Sequence, residues 1–147
     1  MNWYRDVLGM KVLATPQEIS ASSDVNPHLS AVVKKIFGPS LGRFMICHLV
    51  SKEGIGVELF EFLEPRSQHR ADGTNFEYWK TGFFHIAITE HSIEALAGRV
   101  AEAGGKQRTE ILELVPGSGK KICFCEDPFG NIIEIYSHSY EDFWAPD

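Results

Sequence analysis

Two glutamates stand where apolar strand residues are due. Glu134 interrupts the run Asn131 to Tyr136 (NIIEIY), and Glu58 interrupts Gly56 to Leu63 (GVELFEFL). A carboxylate among isoleucines is costly to bury unless a metal ion or a hydrogen-bond donor meets it. Each acid follows a glycine by four residues, Gly54 before Glu58 and Gly130 before Glu134. His85 lies inside a third apolar run, FFHIAIT. The repeated glycine–acid spacing points to a chain of two related halves, each with a strand that presents a carboxylate.

Each of these residues also has an ordinary reading. A histidine in an apolar strand is more often a hydrogen-bonded core residue than a ligand. Glu61 and Glu64 show that the segment around Glu58 carries surface acids as well. Strand alternation separates the cases: Glu58 shares a face with Phe60 and Phe62, and Glu61 lies on the other. Glu134 shares its face with Ile132, Tyr136 and His138. His48, on the face of Phe44 and Ile46, reads as structural. His28, His69 and His91 read as surface or loop residues, and His138 as a substitute ligand or pocket proton donor.

The elements that must position these residues follow from pattern. Met1 to Leu8 reads as a short helix closed by Gly9, and Lys11 to Ile19 as a strand. Asn26-Pro27 opens a helix with an apolar stripe of Leu29, Val32, Val33, Ile36 and Phe37, stopped by Gly38-Pro39. Phe44 to Val50 and Gly56 to Leu63 form a hairpin across Ser51–Gly54. The polar stretch 64–81 reads as a linker whose Phe76, Tyr78 and Trp79 pack down or cover a pocket. Then come a strand at Phe83 to Thr89 and an amphipathic helix from Ser92 to about Ala103, closed by Gly104-Gly105. Strands follow at Lys106 to Val115, Lys120 to Cys125 and Asn131 to Ser137. The second half is thus strand, helix and three strands; the first lacks the opening strand and has gained a helix. Its opening strand is expected upstream of Met1, which makes the sequence a shortened one.

Composition bounds the function. At 147 residues, 44% apolar, the chain is one compact unit or two fused modules with a packed interior. A net charge of −6 without a basic run argues against nucleic acid. No apolar run approaches the roughly 20 residues of a membrane span. Three cysteines, two of them in CFC, read as core or cavity-wall thiols rather than a disulfide, and the compartment as the cytosol.

Four segments in order, Tyr4-Arg5-Asp6-Val7-Leu8-Gly9-Met10, Gly56-Val57-Glu58-Leu59, Phe84-His85-Ile86-Ala87 and Asp127-Pro128-Phe129-Gly130-Asn131-Ile132-Ile133-Glu134, resemble the vicinal oxygen chelate superfamily. That superfamily includes glyoxalase I, bleomycin-resistance proteins and extradiol dioxygenases. The resemblance implies an α+β fold of paired βαβββ modules, whose curved mixed sheet surrounds a cavity, and homodimerisation. Module one would span 1–63, lacking its first strand and carrying the extra helix at about 26–38; module two would span 82–147. In metal-dependent members the first and last strands of each module supply ligands, so Glu58, His85 and Glu134 fall on three ligand positions. By the same resemblance Glu134 is the base.

Carboxylate and imidazole donors suit Zn²⁺, Ni²⁺, Co²⁺, Mn²⁺ or Fe²⁺. The function expected is a metal-binding, glyoxalase-like lyase or isomerase that moves a proton on a small carbonyl or thioester. Two rivals stand beside it. One is an extradiol Fe²⁺ dioxygenase, built on two histidines and one glutamate. The other is a metal-free, antibiotic-sequestering protein that stacks its guest on Phe60, Phe62, Trp79 and Tyr136; these four are also the candidate substrate-binding residues of the enzyme.

Overall fold

A computed structural model describes residues 1–22, 24–68 and 76–145. The chain divides into two compact units, Met1–Gln68 and His69–Asp147. Part of the expected linker, with His69 and Gly73, lies outside the described residues, as does the end of the chain. The architecture is α+β.

Unit one begins with helix α1 (Asn2–Asp6), and Gly9 at φ +68° turns the chain into β1 (Lys11–Ser20). Pro16 sits in an edge strand beside a register shift, where a missing N–H does no harm. Helix α2 (Pro27–Phe37) starts as its sequence dictates: Asn26 accepts a hydrogen bond from the Leu29 amide and Pro27 occupies the first turn. β2 (Arg43–Val50) and β3 (Gly56–Glu64) complete an antiparallel sheet of order β1-β2-β3.

Both faces of this sheet are used. Tyr4 and Met10 pack on Cys47 and Leu49 with Val57 and Leu59 beside them. On the other face Val33 of α2 joins Ala21, Leu41 and Phe44, with Ile46 and Phe62 alongside. The added helix therefore covers one end of the face that also carries His48 and Glu58.

Unit two runs β4 (His85–Thr89), α3 (Ile93–Glu102), β5 (Lys106–Gln107), β6 (Leu112–Glu113), β7 (Lys121–Glu126), β8 (Ile132–Tyr136) and α4 (Tyr140–Trp144). The strand order is β4-β8-β7-β5, with β6 also on β7. β4 and β8 are parallel and the remaining pairs antiparallel, so the last strand of the unit lies beside the first. Ile93, Leu96, Ala97 and Val100 form the buried stripe of α3, all at most 2% exposed. Burying such side chains supplies about 1.5–3 kcal/mol for each of the larger ones. Cys123 and Cys125 are free, fully buried thiols, with sulfurs 3.9 Å apart.

Three elements differ from expectation. The strand expected over Lys106 to Val115 is broken into β5 and β6. At the break the amides of Arg108 and Thr109 both turn to the Phe124 carbonyl, and Thr109 Oγ1 accepts from the Phe124 amide. β4 begins at His85 rather than Phe83, because Gly82 at φ +124° leaves Phe83 in solvent. α4 was not anticipated, although Ser139 and Asp142 form a complete capping box.

Candidate active site

The parallel β4–β8 pair creates the site. His85 is opposite Ile132 and Ala87 opposite Glu134, which puts both functional side chains on one sheet face. His85 Nε2 lies 3.0 Å from Glu134 Oε2. Glu134 is 6% exposed, whereas the imidazole remains about one-third accessible. The carboxylate is thus buried and met by a donor, as its place among isoleucines requires.

Aromatic rings wall the imidazole. Phe84 and Phe124 each meet it edge-on with centroids 5.3 Å away, and Phe124 is the cross-strand neighbour of Glu134. Phe76 packs edge-on against Phe84 at 4.9 Å and Phe124 at 6.1 Å. The Arg108 guanidinium lies 4.7 Å above Phe76 and pairs with Glu126 at 2.7 Å. Phe84, Phe124 and Arg108 lie outside the site expected from sequence; Phe76, expected to pack down or cover a pocket, packs against Phe84 and Phe124. The signal for Phe124 was available, because it alternates with the buried CFC cysteines.

Tyr136 follows Glu134 on the same face and is 5% exposed. Burial raises its phenol to about 12; the side chain of Trp144 works against this, and the charge of Glu134 adds to it. Its ring packs on Phe143 and Tyr140 at 4.7 and 5.5 Å. Trp79 is two-thirds exposed and edges onto Tyr78 at 5.1 Å. His138 turns its Nδ1 to Ser137 Oγ at 2.8 Å, and His91 turns its Nδ1 to the Ser137 carbonyl at 2.7 Å.

In unit one the hairpin register sets Glu58 opposite His48, with His48 Nδ1 3.4 Å from Glu58 Oε1. Strand alternation gives each residue a face, and counting outward from the turn, with Val50 opposite Gly56, brings the two together. Phe60 and Phe62 stack on each other at 5.9 Å and edge onto Phe37 of α2 at 5.8 and 5.6 Å. Their rings largely serve the packing of that helix.

The donor chemistry of unit two suits a divalent ion. Two ligand atoms 3.0 Å apart match neighbouring positions around an ion whose ligands lie about 2.1 Å away. A metal on Nε2 would move the imidazole proton to Nδ1, which is buried without a hydrogen-bond partner. Leaving that N–H unmet costs about 1–3 kcal/mol. Among the described residues of either unit, no three His, Cys, Asp or Glu side chains gather closely enough to hold an ion alone.

No curated protein sequence matches the chain significantly. Among solved structures, a glyoxalase family protein from Bacillus cereus superposes with a TM-score of 0.69 at 17% identity, over 89% of this chain and 79% of that one. Glyoxalase I from Zea mays gives 0.60 at 21% identity; it matches 94% of this chain, which spans only 39% of the maize protein. A glyoxylase/bleomycin resistance protein/dioxygenase domain from Frankia gives 0.55 at 17% identity, over 92% and 78%. At such identities these structures speak to the fold. The family model for the Glyoxalase/Bleomycin resistance protein/Dioxygenase superfamily matches residues 1–135, and the chain belongs to that superfamily.

Proposed function

We propose that this chain is a divalent-metal-dependent, glyoxalase-like lyase or isomerase that moves a proton on a small carbonyl or thioester substrate and works as a homodimer. The observation that carries this reading is the buried Glu134 carboxylate held 3.0 Å from His85 Nε2 on adjacent parallel strands. His85 and Glu134 are the metal ligands of unit two, and Glu58 is the candidate ligand of unit one. Bound there, the ion supplies Lewis-acid polarisation of the substrate carbonyl. The Glu134 carboxylate oxygen that does not hold the ion takes the proton from the carbon beside that carbonyl and returns it to the carbonyl carbon. Phe84 and Phe124, edge-on to the imidazole, hold the His85 ring in place beside the carboxylate.

Metal analysis of the purified chain against a His85→Ala/Glu134→Ala variant tests this. One divalent ion per chain, lost in the variant, is expected. Negligible metal in both would overturn the reading and favour small-molecule sequestration. With metal present, isomerisation of a hemithioacetal supports the lyase assignment, and oxygen uptake with a catechol replaces it by a dioxygenase.

A further inference from the structure

One face of the unit-two sheet carries more than the His85–Glu134 pair. His85 and Glu126 both stand opposite Ile132, and Phe124 stands opposite Glu134. Lys106 and Gln107 of β5 pair with Glu126 and Cys125. The next residue, Arg108, therefore lies against Phe124, whose carbonyl accepts from its amide at 2.8 Å. That puts Arg108 on the face of His85 and Glu134, two strands from Glu134, or about 10 Å at the usual strand spacing. We propose that Arg108 binds an anionic group of the substrate, and that the substrate is a carboxylate-bearing carbonyl compound or thioester. This rests on the lyase or isomerase reading above for the reacting end of the substrate and adds the residue that holds its other end.

Several features favour an anchor over a brace for the β5–β6 break. The guanidinium lies 4.7 Å above the Phe76 ring, and Phe76 packs on the Phe84 and Phe124 rings that wall His85. The side chain is only 20% exposed, so its plane is held before any ligand arrives. Nη1 is bonded to Glu126 Oε2 at 2.7 Å, whereas Nε and Nη2 donate to none of the described residues. Neither of these two atoms is sealed from solvent. Their N–H groups form the parallel edge that matches the two oxygens of a carboxylate. A brace needs the Nη1–Glu126 contact and nothing of that edge. Charge also gives the substrate a direction. Glu134 repels an anionic group and Arg108 accepts it, which leaves the carbonyl end beside His85 and Glu134.

The test uses the full chain, stripped of metal, with levulinate and methyl levulinate as probes, which share a ketone and differ in charge. Levulinate is expected to shift the Arg108 Nε–H resonance of the wild-type chain and the ester to leave it in place, a measurement that needs no variant to fold. Arg108→Gln is expected to bind levulinate about tenfold more weakly, because a charge-assisted pair of hydrogen bonds is lost, and the ester as before. An Nε–H resonance that levulinate does not move overturns the proposal. Equal levulinate affinity in wild type and Arg108→Gln, or equal affinity of the wild type for acid and ester, overturns it as well. Zn²⁺ titration of the same wild-type chain keeps the two readings apart. Zn²⁺ binding without levulinate binding removes the role of Arg108 and leaves the metal-dependent reading standing. Levulinate binding through Arg108 without Zn²⁺ binding does the reverse.

Discussion

Tyr136 is the residue whose environment has the most direct solution signature. Its phenol is raised from the ordinary 10 to about 12, first by burial. Because the folded value lies above the unfolded one, the stabilising difference is intact below pH 10. It is lost as pH rises from 10 towards 12, where the unfolded chain ionises first. Denaturation followed from pH 9 to 12 should show wild type losing about 2 kcal/mol more than Tyr136→Phe. Glu134→Gln keeps the shape but removes the proton acceptor, so turnover should fall by about 10²–10⁴ with the circular dichroism unchanged. Alternation alone put Glu134 and Tyr136 on one face, and that much was legible. The His48–Glu58 contact was not, because a face assignment says nothing about which residues stand opposite until a turn sets the register.

Elements carry their own constraints. At Gly105, a Cβ would stand 2.5 Å from the Glu126 carbonyl oxygen, 2.8 Å from Val100 Cγ1 and 2.9 Å from the Val100 carbonyl oxygen. Backbone on two sides cannot give way cheaply, so Gly105→Ala should cost about 1–3 kcal/mol. Thermal denaturation should show a Tm lower by about 2–4 °C for each kcal/mol. Gly104-Gly105 reads from sequence only as a helix stop; the close approach of α3 to the end of β7 is a tertiary fact that no local pattern encodes. The same holds for the break between β5 and β6, where the Phe124 carbonyl draws in two amides at once. α2 and α3, of 11 and 10 residues, are long enough to show an apolar stripe in the sequence, whereas the five-residue α4 is not, although it is fully capped.

For the molecule as a whole, the order of elements in unit two was readable to its βαβββ sequence, and the family follows from four short segments at their spacing. Each sheet ends in strands with no further neighbour among the described ones: β1 and β3 in unit one, and β4 at one end with β5 and β6 at the other in unit two. Such edges favour pairing with another copy. Sedimentation equilibrium should give twice the chain mass of 16.5 kDa, and a monomer at micromolar concentration would refute the dimer.

β8 is buried along its whole length, all five residues, so hydrophobic alternation cannot decide which of them faces the site. The decision is made upstream. Asp127 Oδ1 accepts from the amides of Phe129 and Asn131, and Oδ2 from the Asn131 side chain, so the strand leaves its turn in one phase. The turn therefore acts as the punctuation that sets the strand's reading frame. One residue inserted between Gly130 and Glu134 would turn the Glu134 carboxylate to the opposite, equally buried face of β8 and away from His85.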